Sequence, residues 1–399
     1  MNVLCITDKS PDSDHSAVEG IFKGPFQQMV DQLHIVYFSR KSATVSMSEN
    51  QIIFPWRYKR VDVLKQLAGR INLFAIDVVI VRNLFKVLNR VLPYRNRFGF
   101  LVGFWESFPH NFRRVYQARI EHKHVFRKTI EYHFKQKREE SSLKKCDFYL
   151  PITDTYKTQF YKDLHIPFHP LPMGVDFSRV PVKHPPAEDS RNGVHRFVYI
   201  GAVDRMRQLD VVVSAFLECN EKFEFHIYTP SINLQVNEIR NLAHPRILVR
   251  ENLPRTELFN NMVHYNVGIG LVPESPLYIA SSPTKTLEYY ALGLPAIINN
   301  LPEYKLLFDS QTAFLSEFTQ KSIAACIRRI CRTPKEEIGR MGALGRERVR
   351  KERDYAALST GLFDFFNRLL HDRTVAHNRQ RKNRFKASRD KSPFWNHKP

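Results

Sequence analysis

The sequence of 399 residues contains little cysteine and little glycine, and it has no long hydrophobic run. Its five cysteines are scattered and form no Cys-x-x-Cys pair, which argues against a disulfide framework and against a structural zinc site. No segment approaches the roughly 20 apolar residues of a membrane-spanning helix, and the N-terminal segment lacks the pattern of a secretory signal. These absences predict a cytoplasmic protein that is at most peripheral on the inner face of the membrane.

Acidic residues are also scarce, since 61 Lys and Arg stand against 40 Asp and Glu and leave a net charge of +21. The excess is concentrated in two segments. Residues 82–145 contain sixteen basic and five acidic side chains, and residues 371–399 contain nine basic and two acidic side chains. Such segments are either solvated faces or surfaces for a polyanion, such as an acidic membrane, a phosphate-rich ligand or nucleic acid. The second segment has few aliphatic residues and is predicted to be a disordered tail.

Short apolar runs alternate with longer amphipathic segments, which is typical of a doubly wound parallel sheet. The strands predicted in the first half are 3–7, 35–39, 78–81, 99–104 and 148–152. After a Pro-rich stretch the alternation restarts, with predicted strands at 197–200, 223–228, 247–249, 267–272, 296–298 and 313–315. We therefore predict an α/β protein with two Rossmann-like domains whose parallel sheets face each other across a cleft.

The predicted boundaries follow from the same alternation. The predicted units are a first domain at 1–170, a linker at 171–195, a second domain at 196–352, a helix at 353–370 and the basic tail at 371–399. The helix at 353–370 is a candidate to pack back on the first domain.

Ligands of open parallel sheets bind at the carboxyl ends of the strands, and one motif of the second half stands at such an end. Tyr199-Ile-Gly201 closes a predicted strand and is followed by Arg205 and Arg207. Guanidinium groups can offer paired hydrogen bonds to phosphate oxygens, so this motif predicts a diphosphate site. The alternative is a surface loop with incidental arginines.

A second motif, Ser281-Ser-Pro-Thr-Lys-Thr-Leu-Glu, predicts a loop followed by a helix that Ser282 or Thr284 can cap. The amide groups of the first turn and the Lys285 ammonium predict another anion site. Glu288 lies one turn beyond Thr284 and can accept hydrogen bonds from a ribose diol. The alternative for Glu288 is a helix-surface carboxylate paired with Lys285.

These residues resemble the nucleotide-binding half of GT-B glycosyltransferases, in particular the large family 4 (group 1) of retaining enzymes. The similar segments are 199–201, 204–210, 282–295 and 301–304, with a looser similarity at 147–153 and 171–176. The resemblance implies a GT-B fold, a nucleoside diphosphate sugar as donor, a first domain that binds the acceptor and a second domain that binds the nucleotide sugar. It also implies that Glu288 holds the donor ribose and that Arg207, helped by Arg205, neutralises the diphosphate together with residues 282–285.

Gly20 and Gly24 follow the first predicted strand, where glycines let backbone amides approach a phosphate or sugar closely. They stand where the family has its first-domain glycine loop, and a plain connection is the alternative. The sequence departs from the family at Ala280, where the pattern Glu-x7-Glu has its first glutamate, and at Ala202, where an arginine is common. These departures are interpreted as substrate tuning rather than loss of activity.

Fixed cations and helix amides can stabilise a departing diphosphate electrostatically, so no cofactor and no metal are expected. Asp12-Ser-Asp14 and His122-Lys-His124 are the alternatives for a metal site. Glu106 and His110 follow a first-half strand, and they are the predicted catalytic residues, which would orient the acceptor or handle its proton. Their structural alternative is a loop carboxylate and a capping histidine.

The acceptor is predicted to meet the basic first domain. Basic residues interleaved with aromatic ones can bind an anionic membrane, so the preferred acceptor is lipid-linked, in surface polysaccharide or glycolipid biosynthesis. The residues predicted to meet the acceptor or membrane are Arg113, Arg114, Arg127 and Lys128. Two rival functions stay open: a GT-B pseudoenzyme with a binding or regulatory role, suggested by Ala280, and a basic nucleic-acid-binding protein. No nucleic-acid reader motif is present, so nucleic acid is not an expected partner.

Overall fold

The computed structural model describes residues 1–11, 17–181, 193–251 and 253–389. It describes the side chains of these residues except 251, 255, 256 and 377–389. The first sheet has seven strands in the order β3-β4-β2-β1-β5-β6-β7, and all neighbours are parallel except β3 and β4. Its strands are β1 (Asn2–Ile6), β2 (Gln32–Ser39), β3 (Ser46–Met47), β4 (Gln51–Pro55), β5 (Val78–Arg82), β6 (Leu101–Glu106) and β7 (Phe148–Pro151).

The second sheet has six strands in the order β10-β9-β8-β11-β12-β13, and all of its neighbours are parallel. Its strands are β8 (His195–Ile200), β9 (Phe223–Thr229), β10 (Ile247–Glu251), β11 (Val267–Ile269), β12 (Ala296–Ile298) and β13 (Phe314–Leu315). Two doubly wound parallel sheets are therefore present, and the predicted fold class is confirmed.

Helices connect the strands and cover the sheet faces. The helices of the first part are α1 (Pro25–Met29), α2 (Val63–Leu67), α3 (Phe85–Val91), α4 (Arg95–Phe98), α5 (His110–Ile120), α6 (Val125–Leu143) and α7 (Asp154–Phe160). The later helices are α8 (Leu209–Leu217), α9 (Leu234–Asn241), α10 (Arg255–Met262), α11 (Pro276–Ile279), α12 (Thr284–Ala291), α13 (Pro302–Leu307), α14 (Gln320–Cys331), α15 (Lys335–Arg353) and α16 (Tyr355–Arg389).

Central strands are buried on both faces, which is why they read as continuous apolar runs in the sequence. All five residues of β5 are buried, including Arg82 at its end. Gly268 in β11 shows how closely helices pack on the second sheet, because an added Cβ would lie 2.3 Å from the ring of Tyr289 in α12. The core of each sheet is therefore closed by helices on both sides.

The sequence did not predict β3 and β4. β4 pairs with β2 in parallel and buries Ile52 and Phe54, while the intervening Ile53 is only partly buried. A run of three apolar residues that ends at Pro55 gives little sequence signal, because proline cannot donate to a neighbouring strand. The first sheet consequently extends two strands further than predicted.

The helix predicted at 353–370 is the first part of α16, and it packs on the first sheet. Phe366 is fully buried, with its ring centroid 6.1 Å from that of Phe26 and 5.1 Å from that of Phe148. The predicted tail begins inside this helix, since α16 continues without a break to Arg389. Arginine and lysine are good helix formers, so a basic composition does not interrupt it. Residues 390–399 lie outside the described residues.

The basic segment between β6 and β7 folds into the helical hairpin α5 and α6. In α6 only Ser142 and Leu143 at the C-terminal end are buried, so most of this helix stands away from the core. His122 and His124 lie in the turn of the hairpin, both with positive φ. Nine of the sixteen basic side chains of residues 82–145 therefore lie on this hairpin, away from the sheet.

Candidate functional site

A cleft of about 500 Å³ lies where the carboxyl ends of the two sheets meet. One wall comes from residues that follow β1, β5 and β6, and the other comes from residues that follow β8 and β11 and from the start of α12. Of the predicted site residues, the cleft brings together His110, Arg113, Arg207, Ser282, Thr284 and Lys285.

Arg207 is held in place by an aspartate three residues earlier. Its backbone amide donates to Oδ1 of Asp204 at 3.0 Å, and its guanidinium forms an ion pair with the same carboxylate. Gly201, at the end of β8, has a φ of +140°, a conformation that side chains rarely permit. The turn from β8 to α8 thus directs Arg207 into the cleft, whereas Arg205 is exposed and is not among the lining residues.

Lys285 is in the first turn of α12, with its Nζ 4.1 Å from the ring centroid of Tyr199. Desolvation, reinforced by the positive charge of Arg207, lowers the pKa of this lysine to about 7. The predicted side-chain cap is wrong: Pro283 is the N-cap residue, and no side chain caps α12. The first-turn amides thus have no intrahelical partner and are available to an anion in the cleft.

Ser282 lines the cleft and also joins the two parts of the chain, because its Oγ accepts a hydrogen bond from the backbone amide of Met173 at 3.1 Å. Ala280 lies in the same junction. It is 1% exposed and packs within the core of the first sheet, and its carbonyl accepts from Oγ1 of Thr153 at 3.0 Å. A glutamate at this position would place a carboxylate in an apolar junction, which is costly unless the charge is paired.

The first-domain wall contains a network that the sequence did not reveal. Arg82 is 1% exposed and lies over the ring of Trp105, at 4.6 Å from its centroid. Its guanidinium pairs with Asp8 and donates to Oγ of Ser107 at 2.8 Å, and Asn83 donates to the same oxygen at 2.9 Å. These residues follow three separate strands, so only the sheet order places them side by side.

The two predicted catalytic residues have different surroundings. His110 is the first residue of α5 and is exposed to the cleft, where desolvation lowers the pKa of its imidazole, opposed by Asp8. Glu106 is 6% exposed and does not line the cleft. Its Oε2 accepts from the hydroxyl of Tyr149 at 2.9 Å, and burial, followed by the nearby Glu139, raises its pKa to about 8. His110 therefore lines the cleft and Glu106 does not, and the catalytic role of both residues stays a prediction.

The first-domain glycines do not line the cleft. An added Cβ at Gly20 would lie 2.1 Å from the ring of Tyr355 in α16, and one at Gly24 would lie 2.9 Å from the carbonyl oxygen of Gly20. In the structure these glycines permit close packing. Their predicted contact with the donor stays a prediction.

The remaining predicted residues lie outside the cleft lining. Glu288 is partly buried one turn beyond it in α12. Arg114 is exposed on α5, while Arg127 and Lys128 on α6 both pair with Glu131, each at 3.0 Å. The contact of these four residues with ribose, acceptor or membrane therefore stays a prediction.

The described lining of the cleft is cationic, because it contains five cationic side chains and one carboxylate. The cations are Lys9, Arg82, Arg113, Arg207 and Lys285, and the carboxylate is Asp8. Among the described residues, no group of three or more His, Cys, Asp or Glu could hold a metal ion, and Asp12 and Asp14 lie outside them. The same part of the chain contains no helix long and apolar enough to cross a membrane.

No known family profile matches the chain, and no curated protein matches it significantly. Solved structures do match. Sucrose-phosphate synthase from Thermosynechococcus elongatus superposes with a TM-score of 0.71 at 13% identity, over 93% of this chain and 100% of the other. HepE of Anabaena in complex with UDP and glucose superposes with a TM-score of 0.64 at 10% identity, over 92% of this chain and 100% of the other. The lipopolysaccharide outer core galactosyltransferase WaaB superposes with a TM-score of 0.60 at 12% identity, over 94% of this chain and 100% of the other. The chain thus has the GT-B fold of these proteins.

Proposed function

We propose that this protein is a glycosyltransferase that moves a sugar from a nucleoside diphosphate sugar to an acceptor. The observation that carries this proposal is the cationic cleft at the carboxyl ends of two facing parallel sheets, where Arg207 and Lys285 stand together at an uncapped helix. Support also comes from the fold neighbours, which include a galactosyltransferase and a protein in complex with UDP. Membership of family 4, retention of configuration and independence of metal are parts of the proposal.

In this mechanism the second domain holds the donor diphosphate. Arg207, Lys285 and the first-turn amides of α12 stabilise the negative charge that develops as the bond between the sugar carbon and the diphosphate breaks. An acceptor hydroxyl forms the new bond to that carbon, and a donor phosphate oxygen takes its proton. His110, which lines the opposite wall, orients the acceptor in this proposal. Each group is fixed before reaction, so little reorganisation is needed.

A nucleotide screen by thermal unfolding tests the donor site. UDP, GDP and ADP are added to the purified protein, and one of them is expected to raise the midpoint of unfolding, because a ligand that binds only the folded state stabilises it by mass action. The corresponding nucleoside monophosphates are the control, since they lack the second phosphate. A nucleic-acid-binding protein would instead respond to an oligonucleotide and not to any diphosphate. Binding without sugar transfer or donor hydrolysis would favour the pseudoenzyme.

The lowered pKa of Lys285 predicts that UDP affinity falls with rising pH. The free lysine loses its proton near pH 7, whereas a bound diphosphate retains the proton and raises the pKa of the complex. Affinity is therefore expected to be about tenfold or more weaker at pH 9 than at pH 7. Titration calorimetry at both pH values measures the change. Lys285→Arg keeps its charge and should remove this dependence; an unchanged dependence in the variant would contradict the assignment.

We further infer that the acceptor is lipid-linked and that α6 meets the membrane. Three apolar residues of α6 are spaced by four and lie on one face of the helix: Phe126 is 80% exposed, Ile130 is 40% exposed and Phe134 is 69% exposed. We call these residues the apolar stripe of α6. Exposed cations surround it on the hairpin, namely Arg119, Lys123, Arg127, Lys137 and Arg138. Apolar insertion with basic flanks is typical of binding to an anionic lipid surface.

Removing the apolar stripe is expected to release the protein from membranes. The double variant Phe126→Ser with Phe134→Ser should cosediment with phosphatidylserine-containing vesicles about tenfold less than the wild type, because two exposed aromatic rings no longer enter the interface. The matched control is Ile232→Ser with Leu234→Ser, which changes exposed apolar residues of the second domain. Equal binding by the stripe variant, or no binding by the wild type, would rule out this surface.

A further inference from the structure

We propose that the carboxyl edge of the first sheet binds a phosphate group of the acceptor through Lys9, Arg40 and Lys59. This inference rests on the proposed function and specifies the chemistry of its acceptor. None of the three residues follows from the charge distribution of the sequence, because all lie before the basic segment 82–145. We call them the edge cations.

The sheet order brings the edge cations together. Lys59 follows β4, Arg40 follows β2 and Lys9 follows β1, and these three strands are neighbours in the sheet. Parallel strands end at one edge, so all three residues stand on the side of the sheet that faces the cleft. Lys9 itself lines the cleft, and Arg82, at the end of the next strand β5, continues the row.

Short contacts fix the cluster. Nζ of Lys59 donates to the backbone carbonyl of Asp8 at 3.0 Å, and the backbone amide of Phe38 in β2 donates to the carbonyl of Lys9 at 3.3 Å. Two of the cations lie over the indole of Trp56. Nζ of Lys59 is 3.3 Å from a ring centroid of this indole, and Cζ of Arg40 is 4.9 Å from a ring centroid. Cation–π contacts of this kind hold positive groups close to each other without neutralising them.

The cluster has an excess of positive charge. Asp8 forms its ion pair with Arg82. Within the described part of the chain, none of the edge cations forms an ion pair with a carboxylate. Burial, with further effects of Arg40 and Lys9 and against the opposing effect of Asp8, lowers the pKa of Lys59 to about 8. An anion bound here would reduce the repulsion between these groups, and its attraction would offset the cost of their desolvation.

Phosphate fits this site better than a carboxylate. It carries up to two negative charges and three acceptor oxygens, which matches three separate cationic donors. Because Lys9 belongs to both the edge cluster and the cleft, a phosphate held there leaves the adjoining part of the acceptor at the cleft, opposite Arg207 and Lys285. The phosphate can belong to a soluble sugar phosphate or to a lipid-linked sugar, and the two sources are separable by experiment.

The test uses the full chain with its donor site saturated by UDP. Glucose 6-phosphate is titrated calorimetrically as the soluble probe. In a second arm, phosphatidylcholine vesicles containing polyprenyl phosphate are compared with vesicles brought to the same surface charge by phosphatidylserine. The variant is Arg40→Gln with Lys59→Gln. The matched control is Arg57→Gln with Arg60→Gln, which removes two exposed arginines from the same short 3-10 helix, Trp56–Arg60.

Binding in one arm, weakened about tenfold or more in the edge variant and unchanged in the control, supports the proposal and identifies the source of the phosphate. Equal binding by the edge variant, or no binding of either probe to the wild type, overturns it. UDP affinity is measured separately in every protein. If UDP does not bind, the donor site fails, and the edge cluster is then judged by the same two probes without UDP.

Discussion

Replacing Arg207 by alanine is expected to lower the turnover number for sugar transfer by about 10² to 10³-fold, the loss that follows removal of one fixed group from a site of developing negative charge. Arg207 lines the cleft and is fixed by Asp204, so its guanidinium is already positioned when the diphosphate departs. The measurement is release of UDP from a UDP-sugar that the nucleotide screen has shown to bind. KM is expected to change less than the turnover number.

Arg205→Ala is the matched control for this experiment. Arg205 is two residues away, carries the same charge and is exposed outside the cleft lining, so its removal should leave turnover within about twofold of the wild type. The sequence alone predicted a shared role for both arginines. Equal loss in the two variants would support that shared role against the geometry. Wild-type turnover in both variants would contradict the proposed role of Arg207, and an absence of UDP release by the wild type would favour the pseudoenzyme.

Phe366→Ala is expected to reduce the free energy of unfolding of the first domain by about 3–5 kcal/mol, the usual cost of removing a buried aromatic ring. Phe366 is fully buried between α16 and the first sheet, against Phe26 and Phe148. Urea unfolding followed by tryptophan fluorescence measures the effect, because Trp56 and Trp105 both lie in this part of the chain.

The control for the stability experiment is Phe126→Ala, which makes the same chemical change on a side chain that is 80% exposed. Its unfolding free energy should stay within about 0.5 kcal/mol of the wild type. A midpoint for Phe366→Ala that coincides with this control would mean that α16 does not complete the first core. In that case the C-terminal helix would be an appendage and not part of the fold.

Local apolar runs predict eleven of the thirteen strands in the described part of the chain. Runs such as 78–81 are strong signals because both faces of a central strand are buried. β3 was not predicted because it consists of two exposed residues, and β4 was not predicted because its apolar run is only three residues long and ends at Pro55. The role of α16 was only partly visible, since the sequence shows aromatic residues at helical spacing but not which surface they cover.

The second-domain wall of the cleft was largely predictable, because Arg207, Thr284 and Lys285 belong to continuous segments with a strand, a turn and a helix start in sequence order. The first-domain wall was not. Glu106 is the last residue of β6, and its side chain is buried beside Tyr149 and not in the cleft lining, because neighbouring residues of a strand point to opposite faces. Its predicted catalytic role stays a prediction.

The two α/β halves, the excess of positive charge and the two cationic motifs of the second half could be read from the sequence, since all of these are local in the chain. Which cations share a site depends on the tertiary structure. Lys9, Arg40, Lys59 and Arg82 are spread over more than seventy residues, and they form one row because β4, β2, β1 and β5 are neighbours in the sheet. Strand order is set by long-range packing and is not written in any one segment of the sequence.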